Sequence, residues 1–85
     1  MARVFLEPKA GREFKKLPKD VRLLIYGILT GVFSKDPLSP VLDVRKMQHP
    51  LPGYRLRVGD YRVLFMLEVD TVKIYRIRHR KDAYR

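Results

Sequence analysis

Gly53–Phe65 reads GYRLRVGDYRVLF, and its alternation sets what the rest of the chain must supply. Tyr54, Leu56 and Val58 alternate with Arg55 and Arg57, the period-two pattern of a strand with one apolar and one charged face. Gly59-Asp60 is a two-residue turn of the kind that accepts positive φ. Tyr61, Val63, Phe65 and Leu67 then resume the apolar face, with Arg62 on the other. With those two residues as the whole loop, Val58 pairs with Tyr61, Arg57 stands directly across from Arg62, and Arg55 lies one diagonal step away. Like charges directly opposite destabilise a sheet. Three guanidinium groups on one patch therefore imply that something anionic belongs over them.

Downstream, Glu68–Thr71 reads as a turn and Val72–Arg78 as a last strand. Val72 and Ile74 share one face, but the next apolar residue that belongs with them is Ile77. A bulge near Tyr75-Arg76 would repair the register and turn Arg76 or Arg78 towards the basic patch. Strict alternation is the competing reading. Upstream, Val41–Met47 can add a short strand, Gln48–Pro52 a turn, and Ser34–Pro40 is a Pro- and Ser-rich loop. From Lys19 to about Phe33, residues Val21, Leu24, Ile25, Ile28, Leu29 and Val32 form a helical apolar stripe wide enough to cover a sheet. Leu23 and Tyr26 fall off that stripe; they either touch the preceding helix or form a docking patch.

That preceding helix is Ala10–Leu17, with Ala10, Phe14 and Leu17 inward and Arg12, Glu13, Lys15 and Lys16 facing water. Pro18 separates the two helices and suits the first turn of the second, so they should form a hairpin. Arg3–Glu7 is a strand stopped by Pro8. The expected architecture is α+β over residues 1–85 as one domain. It places an N-terminal helical hairpin on one face of a mainly antiparallel four-stranded sheet and leaves the arginine face open.

Composition narrows the chemistry. Of 85 residues, 46% are hydrophobic, which suits a globular chain with one modest core. There is no cysteine, no apolar run long enough to span a membrane and nothing resembling a signal peptide, so a cytoplasmic location is expected. Nineteen basic against nine acidic side chains give a formal charge of +10, of which +3 falls in residues 1–43 and +7 in residues 44–85. Such an excess calls for a polyanion, nucleic acid first, then an acidic protein or an anionic membrane surface.

His49 and His79 lie far apart without clustered acids, so no zinc-ligand pattern or other cofactor signature is present. The five glycines make no phosphate-loop motif. What remains is guanidinium chemistry: planar forks that match phosphate oxygens and keep their charge. A cluster of them could stabilise a pentacoordinate phosphorane, with the neighbouring 2′-hydroxyl of RNA as the nucleophile. The same patch could equally bind nucleic acid without cleaving it. The ending Arg78-His79-Arg80-Lys81-Asp82-Ala83-Tyr84-Arg85 follows directly from the last strand, which should bring Arg80 and Tyr84 near the edge of the open face. Tyr84 could stack on an unpaired base or pack on a loop; His79 could handle a proton or be structural.

LPKDVR before the long helix, Lys46-Met47, GYRLRVGDYRVLF and the ending RHRKDAY together resemble a RelE-type toxin of a toxin–antitoxin pair. The resemblance spans nearly the whole chain. It implies a microbial-ribonuclease-like fold, cleavage of messenger RNA in the ribosomal A site, and a RelB-like antitoxin in an oligomeric complex; with no ligand cluster in the sequence, that cleavage is expected to be metal-independent. Arg55 and Arg57 fall where such toxins carry two basic residues on the first strand of the pair. Arg62 falls on the catalytic arginine, and Arg80 and Tyr84 on the arginine and tyrosine near the C-terminus. Lys46, Arg76, Arg78 and Lys81 are the expected additional RNA contacts. Some members have lysines at positions 55 and 57, one of them a candidate general base; arginine does not deprotonate usefully. The Arg80–Tyr84 spacing is also shorter than in some members. A ParE-like inhibitor of DNA gyrase and a non-catalytic RNA-binding domain are the alternatives, and retention of Arg55, Arg57, Arg62 and Arg80 together favours the ribonuclease.

Overall fold

The computed structural model describes residues 2–83. Its centre is the expected hairpin: β3 (Tyr54–Val58) and β4 (Tyr61–Glu68), with Val58 opposite Tyr61 and Arg57 opposite Arg62. Gly59 has φ +58°, and among the described residues none other than glycine takes a positive φ. A single positive φ at the first turn position keeps the right-handed twist of the flanking strands.

β5 (Thr71–His79) continues the meander. Leu64 faces Arg76 and Phe65 faces Ile74, so Tyr75 is the extra residue of a bulge. The bulge sits where the apolar spacing required it. It lets Val72, Ile74 and Ile77 all point into the core, and it leaves Arg76 and Arg78 on the opposite face. At the far edge, β2 (Val44–Lys46) pairs with β3.

The sheet has five strands in the order β1-β5-β4-β3-β2. β1 (Arg3–Leu6) runs parallel to β5, with Arg3 opposite Thr71 and Leu6 opposite Ile74. The four-stranded expectation therefore gives way to a mixed sheet of five. Residues 75–79 of β5 leave β1 behind, and α1 (Pro8–Lys15) lies beside them. α1 packs chiefly on β5 and less on α2 (Lys19–Thr30), so the helices do not form a tight hairpin.

Near Gly31 the long helix breaks, and a single turn, α3 (Val32–Lys35), follows. The kink drives Phe33 into full burial, edge-on to Phe65 with ring centroids 4.9 Å apart. Ile25, Leu29, Leu56, Val63, Val72 and Ile74 complete the core. Leu24 and Val32, two members of the expected stripe, are exposed. Leu23 and Tyr26 are each 59% exposed, so they do not bury against the first helix. Tyr26 instead borders an apolar groove of about 280 Å³ with Val4, Leu6, Phe14 and Leu29. No helix among the described residues is long and apolar enough to cross a membrane.

Candidate functional site

Residues directly opposite in an antiparallel pair point to the same face. The registers therefore arrange the face away from the core in two rows. One row runs Arg45, Arg55, Leu64, Arg76 across β2, β3, β4 and β5; the other runs Arg57, Arg62, Arg78 across β3, β4 and β5. Leu64 is only 1% exposed yet stands outside the main core cluster, so it forms an apolar floor beneath the arginines.

Six guanidinium groups on one patch repel one another, and the structure answers this at defined points. Asp43 lies between Arg45 and Arg57, 3.9 Å from the Nε of each, and its carbonyl accepts the Arg57 N–H at 2.9 Å. Glu13 reaches over from α1 to Arg76 Nε at 3.2 Å and Arg78 Nε at 3.4 Å, and accepts the Ile77 N–H at 2.9 Å. Glu13 was expected to face water; it serves instead as the acidic partner of the unpaired end of β5. Asp60 stands 3.7 Å from Arg80 Nε, and its carbonyl accepts the Arg80 N–H at 2.7 Å.

Arg62 departs most from expectation. It is 9% exposed, and its Nη1 donates to the carbonyls of Gly59 (2.9 Å) and Tyr61 (3.0 Å). Those bonds leave Nε and Nη2 without a partner among the described residues, so the group is pinned by one corner and presents the rest. Arg55 is the opposite case. It is half-buried, and its side chain makes no hydrogen bond or ion pair among the described residues. It also borders an open groove of about 930 Å³ lined by Arg45 to Leu51.

Of the other expected contacts, Lys46 pairs with Tyr54, off the arginine rows, but lines the same groove. Arg76 and Arg78 are on the face and engaged by Glu13. Lys81 is exposed in the turn after β5, where its N–H donates to His79 Nδ1 at 3.2 Å. His79 also meets the Tyr61 ring edge-on at 5.4 Å, a structural placement. Tyr84 lies outside the described residues. Reading the sequence missed Arg45, Asp43 and Glu13. Arg45 was findable, since a strand pairing with β3 in the observed register sets it against Arg55; the two acids needed tertiary contacts.

No family model matches the sequence. Toxin RelE3 of Methanocaldococcus jannaschii is 31% identical over 74 residues, covering 86% of this chain and 84% of the relative. Toxin RelG of Mycobacterium tuberculosis is 33% identical over 79 residues, covering 89% and 87%. The chain belongs to the RelE toxin family. Solved RelE-family structures agree with this assignment. The toxin–antitoxin complex RelBE2 of Mycobacterium tuberculosis matches at TM-score 0.80 and 28% identity, over 92% of this chain and 96% of that one. The RelB–RelE complex of Methanococcus jannaschii matches at 0.79 and 28%, over 94% of each chain. YoeB of Staphylococcus aureus, at 18% identity and TM-score 0.73, shares the fold.

Proposed function

We propose that this RelE-family chain is the toxin of a type II toxin–antitoxin pair and a ribosome-dependent endoribonuclease that cleaves messenger RNA in the A site. The observation that carries this reading is the paired arginine rows, in which the Arg55 side chain has no partner among the described residues and Arg62 is fixed with its fork partly free. A fixed cation costs no reorganisation as charge develops on the phosphate. The 2′-oxygen attacks the adjacent phosphorus and loses its proton, the bond to the 5′-oxygen breaks, and that oxygen takes up a proton. The products are a 2′,3′-cyclic phosphate and a 5′-hydroxyl. Arg55 takes the non-bridging oxygens, Arg57 and Arg62 stabilise the phosphorane, and Arg80, once drawn from Asp60, neutralises the leaving oxygen. The nucleophile belongs to the substrate, so the reaction does not call on metal-bound water.

The partner that suppresses it is a RelB-like antitoxin. Its acidic segment would neutralise the arginine rows, and an amphipathic segment would cover the exposed Leu23, Leu24 and Tyr26 beside the apolar groove. Primer extension on messenger RNA from translating ribosomes tests the function. New 5′ ends in the A site, lost with Arg55→Ala, are expected. Intact messenger RNA together with inhibited gyrase would overturn the reading in favour of the ParE-like alternative.

A further inference from the structure

Tyr75 has no role in the mechanism above, yet its placement is unusual. It is the bulged residue of β5, and its hydroxyl donates to the Pro52 carbonyl at 2.8 Å. Pro52 lies two residues before the start of β3, and β4 stands between β5 and β3. The side chain must therefore lie across β4. It does not cross on the core side, because Tyr75 is neither in the core cluster nor among the half-buried hydrophobics packed on it. It crosses on the arginine side, next in sequence to Arg76 and so one step from the row that holds Arg55. Its hydroxyl ends at the loop whose preceding residues, Arg45 to Leu51, line the larger groove.

We propose that the Tyr75 ring is a fixed platform on which one base of the bound RNA stacks, next to the phosphate held by Arg55. The proposal rests on the ribonuclease reading and deepens it. An aromatic face among cations is how single-stranded RNA is held without base-specific hydrogen bonds. The Pro52 bond fixes the ring orientation before RNA arrives, so little is lost in ordering it. A phenol is protonated at neutral pH and so donates to Pro52, and burial, which raises Tyr75 above its ordinary value, makes it a still poorer base.

The test uses the full-length toxin and short 2′-O-methyl oligoribonucleotides, which cannot be cleaved, with one abasic residue placed at each position in turn. Fluorescence anisotropy should show one position at which base removal weakens binding by about 5- to 150-fold, the range for one stacked base. Tyr75→Leu should lose the same factor with the intact oligonucleotide and show no further loss with that abasic one. Tyr75→Phe, which keeps the ring, should stay within about threefold of the wild type. Independently of either variant's folding, a 5-iodouridine at that position should photo-cross-link to Tyr75 in the wild-type protein. Equal losses for Tyr75→Phe and Tyr75→Leu would make the hydroxyl latch its whole role and overturn the platform. So would a cross-link that maps elsewhere, or an abasic profile unchanged by Tyr75→Leu. Wild type that binds none of the oligonucleotides would overturn the platform alone, because the ribonuclease reading stands or falls separately on the new 5′ ends made on translating ribosomes.

Discussion

Arg62 carries two opposed demands at the scale of a single residue. Its charge is set between Arg57 and Arg78, which costs stability, while its Nη1 satisfies two turn carbonyls. The sequence shows only the first demand, because carbonyl positions in a turn follow from its φ and ψ. On the sequence alone, Arg62→Ala should leave stability unchanged or raise it by roughly 0.2–1 kcal/mol, the scale of a cross-strand pair. Hydrogen bonds from a charged group are worth about 1.5–3 kcal/mol, so the lost bonds outweigh the relieved repulsion. Arg62→Ala should therefore lower stability by about 1–3 kcal/mol in urea titration, and should abolish cleavage beyond what that loss explains. Gly53 makes a cleaner case. Its φ is +83°, and a Cβ there would strike the Phe65 carbonyl. Gly53→Ala should cost at least about 2 kcal/mol, read as a lowered midpoint in the same titration.

At the scale of elements, the last strand shows what sequence can and cannot reveal. The bulge was legible because Ile74 and Ile77 break a period of two, a purely local signal. The clamp of Glu13 on Arg76, Arg78 and the Ile77 N–H joins residues far apart in the chain and leaves no local trace. The same holds for β1, whose own residues read as a strand but do not name β5 as its partner. Glu13→Ala would leave the Ile77 N–H unpaired and the two arginines facing each other. A loss of about 1–3 kcal/mol is expected by thermal unfolding, with Glu13→Gln intermediate. The bulge also brings a pH signature. Burial raises Tyr75 above its ordinary value of 10.0, with Arg76 opposing the shift. A raised phenol contributes stability that is complete below its unfolded value of about 10 and is lost as pH rises through the folded one. Wild type should therefore lose more stability above about pH 10 than Tyr75→Phe does, as measured by unfolding titrations across that range.

For the whole molecule, the dominant fact is a formal charge of +10, with six arginines gathered on one face of the sheet. Three acids, Asp43, Glu13 and Asp60, offset part of it locally, and the remainder is stored repulsion. The melting temperature of the free toxin should rise by a few degrees from low salt to about 0.15 M, where the screening length falls to about 8 Å. RNA binding should move the opposite way, falling with a log–log slope of about −0.7 for each phosphate held. A melting temperature insensitive to salt would mean that the three acids already balance the face.

The parallel pairing of β1 with β5 ties Arg3 to Thr71 and Leu6 to Ile74, so the N-terminal strand has no partner until the last strand has been made. Every strand that bears the arginine rows also lies in the second half of the chain. During synthesis the helices emerge first, with neither sheet nor site to rest on, and contacts this distant in sequence close late and slowly. A nascent chain therefore lacks the assembled arginine face until β5 has emerged.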